Sequence, residues 1–482
     1  MNTIRLGLLV AALTVAGSAA PAPDSLVAPT RPDTLTDIEL RIYPPDGIKL
    51  PVSYQVDWGD GETLDWTDPI RSPMDISRYH RYRELGSYDA RARLRDGAGS
   101  ISEWGRVLSI RVEDPPLKWV FPTFDPIVAT PTLDSDGNVY IGDESGWIYC
   151  LDTKGQLIWG HETRGPVLAS AAVGADGRRA CFPLNLFRRS KPGRELVYFP
   201  SLDSHLYCFT TEGELVWEAN LEDELYRAPA IGADGTVYVG TDAGWLVALD
   251  RNGKVLWRYD TGDEITASPS VGLDGRVYVT SDSIYCLEPG GDLLWSFGAE
   301  DEYDYFFPSA VPDRDGNVYA GNVDGHLYAV GPDGEMLWRK MSTDEEEIKP
   351  EVVFGPGGVI YVGNDGYYLC RLEPGGRMRD IFEADEVIAT AAAVDADGNV
   401  FFVADDGYLF AMSSEGRMLW RQEIAVEMKD IFYTSSPAIG PDGTVYVSSW
   451  DGGVYAFRGF APPARTDWPQ YRHDAQHTGR LE

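Results

Sequence analysis

Five short stretches of this chain concentrate carboxylates: EDEL at 222–225, GDEI at 262–265, AEDEYDY at 299–305, STDEEEI at 342–348 and EADEV at 383–387. Asp223, Glu224, Asp263, Glu264, Asp301, Glu302, Asp344, Glu345, Glu346, Glu347, Asp385 and Glu386 are the groups in them that could do chemistry. Carboxylates gathered on one surface raise its negative potential and draw in cations or a basic protein. They are also the oxygen donors that calcium takes. Basic groups cluster in PLNLFRRSKPGRELVY, where Arg188, Arg189, Lys191 and Arg194 form a candidate docking loop, or a solvated loop leaning on nearby acids. His473 and His477 stand four apart with Asp474 beside the first. On a helix both imidazoles would face one way and could share a metal with outside ligands. The alternative, adopted here, is that this segment packs on the rest of the fold through Trp468 and Tyr471. The chain has no C-x-x-C-H haem attachment, no nucleophile elbow and no H-E-x-x-H zinc helix.

Composition narrows the partners. The 482 residues carry 76 Asp and Glu against 41 Lys and Arg, a net charge of −35. Such an excess opposes binding to nucleic acid, where affinity comes mainly from cations neutralising phosphates. It also opposes docking on anionic lipid. A protein or cationic ligand fits better. Residues 1–20 read as a signal peptide, with Arg5, an apolar run from Leu6 to Ala16 and small residues after it. No Cys follows that run, so a lipid anchor is not expected, and no later stretch reads as a transmembrane helix. The expectation is an exported monomer, periplasmic or at the surface of a bacterial cell.

These loops must be held by something, and the rest of the sequence is a repeat. ASPSVGLDGRVYVTSDSIYCLEPGGDLLW (267–295) matches APAIGADGTVYVGTDAGWLVALDRNGKVLW (228–257), and related units recur at 129–159, 308–338, 350–380, 389–420 and 435–457. A longer unit, 169–217, carries the basic insertion. A period near 40 signals a propeller or solenoid. Each unit holds four short strands separated by Asp-Gly or Asn-Gly turns, as in a propeller blade. The Trp that ends a unit (Trp159, Trp217, Trp257, Trp295, Trp338, Trp420) should pack between blades. Cys150, Cys208 and Cys286 share a repeat slot with Ala248, Ala329, Ala411 and Ala456. Equivalent positions on separate blades are too far apart for a disulfide, so these cysteines read as small buried residues. In the sixth unit Asp380 takes the Trp slot and Arg371 the small-residue slot, which suggests a local Asp–Arg contact.

The unit SPAIGPDGTVYVSSWDGGVYAF closely resembles the PQQ-like repeat of bacterial propellers, over roughly 117–457. Quinoprotein dehydrogenases of that superfamily resemble this chain in having eight blades, and they imply PQQ and calcium; the adjacent-cysteine pair they carry beside the cofactor has no match here. The chain also resembles the periplasmic propellers that assist outer-membrane β-barrel assembly. That resemblance implies a non-catalytic binding or scaffold protein, with no cofactor. The segment KWVFPT supplies the closure. After Trp119 come Phe121, Thr123, Ile127, Ala129 and Pro131, in the register that Tyr259, Thr261, Ile265, Ala267 and Pro269 follow after Trp257. The last unit lacks its Trp strand, so Trp119 should complete it and seal a ring of eight. In such a ring the loops between blades share a face with the loops between second and third strands, which gathers the acids on one rim.

Residues 35–114 alternate apolar and polar between turn signals. Asp57, Trp58, Gly59, Asp60 and Gly61, then His80, Tyr82, Gly86, Tyr88, Leu94, Asp96 and Gly99, resemble the PKD-type Ig-like domain. That resemblance implies a spacer or an adhesive module for a cell surface or polysaccharide. Asp57, Asp60 and Asp96 could supply calcium ligands, or simply close their own turns. The expected fold is therefore all-β: an eight-bladed β-propeller preceded by a small Ig-like, PKD-type β-sandwich. The boundaries are signal peptide 1–20, linker 21–34, sandwich 35–114, propeller 117–460 closed by the strand at Trp119, and a C-terminal tail, 461–482, packing on the propeller.

Overall fold

The computed structural model describes residues 25–27, 38–43, 51–67, 69, 76–80, 86–105, 107–112, 116–175, 195–298, 305–341, 346–373, 377–384, 386–424 and 435–481. Residues 1–20 and the basic loop with Arg188, Arg189, Lys191 and Arg194 lie outside them, as do Asp301, Glu302, Asp344, Glu345 and Asp385. Every element described is a β-strand. Among the described residues no helix is long and apolar enough to cross a membrane. The chain divides into two compact units, residues 1–116 and, apart from 418–420, residues 117–482.

The N-terminal unit has two antiparallel sheets. One orders Thr63–Leu64, Ser53–Asp57, Gly86–Arg95 and Leu108–Val112; the other orders Ser25–Val27, Ile38–Tyr43 and Ile76–His80. The stretch read from sequence as linker therefore supplies an edge strand: Ser25, Leu26 and Val27 pair with Tyr43, Ile42 and Arg41. Alternation in the first sheet buries Val52, Tyr54, Val56, Ala90, Ala92 and Leu94.

The larger unit is a propeller-type array of four-stranded antiparallel sheets. Their first strands are Thr132–Leu133, Ala172–Ala175, Ala230–Ile231, Ser270–Val271, Val311–Pro312, Val353–Gly355, Ala393–Val394 and Ala438–Ile439. Buried Ser and Thr hydroxyls stitch neighbouring sheets at the entry to these strands. Thr130 N donates to Ser170 Oγ (2.9 Å) and Ala228 N to Ser268 Oγ (3.0 Å). The same contact joins last to first, from Ser436 N to Thr130 Oγ1 (3.0 Å).

The outer strands carry a second clasp. Trp159, Trp217, Trp257 and Trp295 donate their indole N–H to Thr211, Arg251, Pro289 and Pro332 carbonyls in the turn of the following sheet, at 2.9–3.1 Å. Each indole lies under a glycine of that turn. Gly291 has φ +93°, and a Cβ there would stand 2.6 Å from the Trp257 ring. Gly291→Ala thus meets both a left-handed backbone and a ring that cannot recede, and should cost at least about 2 kcal/mol in chemical denaturation. A loss under half of that would show the clasp to be slack.

Where the Trp slot holds Asp380, the clasp is rebuilt. Arg371 Nη1 donates at 2.7 Å to the Ser414 carbonyl, in the turn of the next sheet. That is the carbonyl position the indoles use elsewhere. The substitution of Arg for a small residue is thus matched to the loss of Trp, while the expected contact with the Asp380 side chain lies outside the described residues.

The eighth sheet takes its fourth strand from the other end of the unit. Leu117–Pro122 pairs antiparallel with Gly453–Arg458, Trp119 opposite Ala456 and Phe121 opposite Val454. Trp119 Nε1 donates to Thr153 O of the first sheet at 3.1 Å, above Gly155. The four described cysteines, Cys150, Cys208, Cys286 and Cys370, are buried. Burial pushes the Cys150 and Cys286 thiols up to about 12.

Candidate functional site

Backbone hydrogen bonds tie the loop entering a sheet to the loop between its second and third strands. In six sheets the loop after the second strand donates an N–H to the loop entering that sheet: Glu144 to Pro126, Leu202 to Pro166, Asp242 to Glu224, Val323 to Tyr305, Asp365 to Glu347 and Asp405 to Val387. Asp263, Glu264 and Glu386 are exposed there. Others are engaged. Asp223 accepts from Ala243 N (2.5 Å) and Glu224 from the Tyr226 hydroxyl (2.8 Å). Glu264 lies 3.6 Å from Arg227, and Lys349 bridges Glu347 (2.6 Å) and Asp365. Glu346 is exposed on the same loop as Glu347. Burial, then the charges of Asp125 and Asp143, raise the Glu144 carboxyl above its usual range.

Several acids in the loops between second and third strands hold the fold. Asp143, Asp203 and Asp324 accept from the Tyr149, Tyr207 and Tyr328 hydroxyls at 2.6–2.8 Å while capping their own turns. Asp451 does the same for Tyr455. On the turns between first and second strands, Asp134, Asp313 and Asp395 each bind two backbone N–H groups and an Asn side chain. Part of the negative charge is therefore spent on turn closure.

The inner edges of the sheets meet the C-terminal segment. First strands are edge strands with outward N–H groups that need acceptors. Phe354 N donates to Trp468 O (2.6 Å), Val394 N to Pro469 O (2.8 Å), and Ile439 N to Gln470 Oε1 (2.7 Å). Then Leu133, Val173, Ile231 and Val271 donate to Ala475, Gln476, Thr478 and Gly479 carbonyls at 2.6–2.8 Å. The segment thus visits the sixth, seventh, eighth, first, second, third and fourth sheets in order. The equivalent residue of the fifth sheet is Pro312, which has no N–H to offer. The segment begins beside that sheet, where Trp468 packs on Val311, and ends on the fourth, where Leu481 N donates to Val271 O.

Its side chains form a buried polar hub. Trp468 is wholly buried and packs with Val311, Phe354 and Ile360. Its Nε1–H (2.6 Å) and the Arg472 N–H (2.9 Å) both reach Glu351 Oε1. Burial raises the Glu351 carboxyl above its usual range, against the opposing Arg472 charge. The helical pairing of His473 and His477 does not form. Arg472, His473 and His477 have φ of +57°, +78° and +51°, because the chain is bending around a ring. His473 contacts Asp474 (3.2 Å), while His477 Nδ1 meets Thr132 Oγ1 (2.9 Å). Since Thr132 gives its own proton to Ala171 O, His477 donates from Nδ1. Burial lowers the His477 imidazole to about 3.

A His depressed on folding binds fewer protons than it does unfolded, so its stability contribution is present above about pH 6.5 and lost as pH falls. Glu351 acts in the opposite direction, so the comparison must be made within one background. At pH 5 the neutral His477 should cost about 2 kcal/mol relative to pH 8. His477→Gln should therefore lose less stability than the parent on acidification, read as denaturation midpoints at the two pH values; parallel losses would place the charge change elsewhere.

The proposed calcium donors of the first unit are not assembled. Asp57 pairs with Arg91 at 2.9 Å, Asp60 binds His80 Nε2 at 2.6 Å, and Asp96 caps its own turn through Ala98 and Ser100 N–H. Among the described residues no cluster of three or more His, Cys, Asp or Glu could hold a metal ion.

Repeated four-stranded sheets with a shared inner edge and Trp clasps define a propeller-type protein. The model of the family described as outer membrane protein assembly factor BamB matches residues 202–332 and 323–460, more than half of the chain, and the chain belongs to that family. Two solved structures are similar. A computationally designed protein, Ika8, has 16% identity and a TM-score of 0.57, covering 71% of this chain and 99% of its own. BamB from Moraxella catarrhalis has 18% identity and a TM-score of 0.40, covering 75% and 86%. No curated protein matches.

Proposed function

We propose that this chain is an exported, monomeric, non-catalytic scaffold: a closed ring of eight blades, preceded by an Ig-like PKD-type module, that docks a basic protein surface or a cation on its acidic rim. The observation that carries the reading is the occupied centre. The inner strands, where a propeller would hold a small molecule on its axis, spend their N–H groups on residues 468–479 of the same chain. What remains for binding is the loop face, where Asp263, Glu264, Glu346 and Glu386 are exposed. Membership of a family named for outer-membrane protein assembly directs the reading toward a protein partner in the periplasm.

The test uses oligolysine as the basic probe. Binding by the full chain should weaken steeply with added salt. The variant Asp263→Asn, Glu264→Gln, Glu346→Gln, Glu386→Gln should bind at least about tenfold more weakly, as expected from losing four attractive charges at a focused rim. Equal affinity of variant and parent would remove the rim as the site.

A further inference from the structure

In each sheet of the larger unit the third strand starts where the fourth strand ends, beside the loop between second and third strands. Trp147 there faces Glu162, Trp245 faces Asp260 and Tyr368 faces Glu383. Where the third strand starts without Trp or Tyr, the acid is missing as well: His205 faces Asn220, Ser283 faces Gly298, His326 faces Met341 and Gly453 faces Pro122. Ring and carboxylate therefore occur together or not at all. Residues directly opposite in an antiparallel pair project on one side of the sheet, with Cβ atoms about 5 Å apart. Glu162 and Asp260 are exposed, and Trp245 is 36% exposed. Among the described residues neither Glu162 nor Asp260 has an ion-pair partner. The face of an aromatic ring is negative and attracts cations, as the carboxylate does.

The seventh sheet shows what such a pair takes. Its third and fourth strands, Tyr408–Met412 and Met418–Glu423, have the lengths of Trp147–Leu151 and Leu157–Glu162 in the first sheet. Counted from the strand ends, Tyr408 holds the place of Trp147, Glu423 that of Glu162 and Arg421 that of Gly160. The Arg421 guanidinium lies 4.6 Å from the Tyr408 ring centroid. An arginine of this chain thus stacks on the ring of that pair. In the first sheet Gly160 brings no side chain, and a Cβ there would stand at ordinary contact distance, 3.5 Å, from the Trp147 ring. In the third sheet the same place holds Arg258, which turns to the Leu221 carbonyl (3.5 Å) and to Glu222 (3.8 Å).

We propose that the pairs Trp147–Glu162 and Trp245–Asp260 receive arginine side chains of a basic partner protein. The proposal rests on the acidic rim as the docking face and specifies what the partner must present to it. A guanidinium can lay its plane on the ring and turn its N–H edge to the carboxylate, whereas a lysine ammonium supplies only a point charge.

The test titrates oligoarginine and oligolysine of equal length into the full chain by calorimetry. Ionic strength is held near 0.15 M, where attraction beyond about 8 Å is screened. The parent should bind oligoarginine at least about fivefold more tightly, as expected for two exposed ring contacts. Variants are read as the ratio of the two affinities, in which a change of net charge, felt alike by both peptides, cancels. Trp147→Leu, Trp245→Leu should bring the ratio close to one. Arg421→Ala, which uncovers the Tyr408 ring, should raise it. A parent ratio near one, or a ratio unmoved in the Leu variant, overturns the proposal. If the Leu variant does not fold, the exposed pair Glu162→Gln, Asp260→Asn decides in its place: the ratio should fall, and an unchanged ratio overturns the proposal. The rim reading fails by a different result, oligolysine affinity unchanged when Asp263, Glu264, Glu346 and Glu386 are neutralised.

Discussion

Trp468→Ala should destabilise the repeat unit by about 3–5 kcal/mol, although Trp468 lies beyond the last repeat. Truncating a wholly buried Trp in a core costs that much from lost transfer energy and the cavity left behind. Here a second term adds to it. Trp468 Nε1 is one of two donors to Glu351 Oε1, and removing a partner of a buried polar group costs about 1–3 kcal/mol. Ending the chain at Pro462 should be worse. It strips the acceptors from seven inner-strand N–H groups and exposes Val311, Phe354 and Ile360. We expect urea denaturation of Trp468→Ala to stay cooperative with an earlier midpoint, and the truncated chain to lose its sharp transition. A truncated chain as stable as the parent would mean that residues 463–482 only rest on the ring.

Why the sequence conceals this hub follows from the kind of contact that makes it. The blades announce themselves because their bonds depend on side-chain type: Asp and Gly at the turns, Trp on the outer strand, Ala or Cys where the Trp packs. The hub is held largely by main-chain carbonyls accepting from main-chain N–H groups, and any residue supplies those. One trace is visible in advance, Pro312, at the inner-strand position where a donor is otherwise present. The spacing of His473 and His477 was legible but pointed to a helix, which a chain bending around an axis does not form. The rim shows the same limit. Its loops could be read as one face, since the repeat sets their order. Yet acid that binds a turn and acid that faces solvent look alike in one-letter code, and only the tyrosine hydroxyl six residues after Asp143, or four after Asp203, distinguishes them. The Arg371 contact needed both slots of the sixth unit to be read against the turn of the seventh.

Trp119→Ala should destabilise the eighth and first sheets by about 3 kcal/mol, the low end for a Trp in a core because its ring is only half-buried. The comparison that gives this meaning is Trp257→Ala, which removes the same clasp inside the continuous run of blades. Both lose an indole and a hydrogen bond to a turn carbonyl. Only Trp119 also guards a junction whose strands, Leu117–Pro122 and Gly453–Arg458, are brought together across most of the chain. Closing a loop of that length costs on the order of 5 kcal/mol in chain entropy, by the logarithmic dependence on length. The junction must repay that from its own contacts: the strand pairing, the Trp119 bond to Thr153, and the ring contact with Tyr446 at 5.8 Å. Weakening it should let the ring open there first. Amide exchange should therefore speed up at Ala438–Ile439 and Gly453–Arg458 in Trp119→Ala and much less in Trp257→Ala, where neighbours on both sides stay covalently continuous. The hub supplies a second closure, because Gln470 binds Ile439 N and Ala475 binds Leu133 N across the same seam. Two ties across one seam share their load, so each single loss is cushioned by the other. The double variant Trp119→Ala, Trp468→Ala should thus lose more than the sum of the two, by about 1 kcal/mol or more in a double-mutant cycle. Strict additivity would mean that strand and hub hold different parts of the molecule.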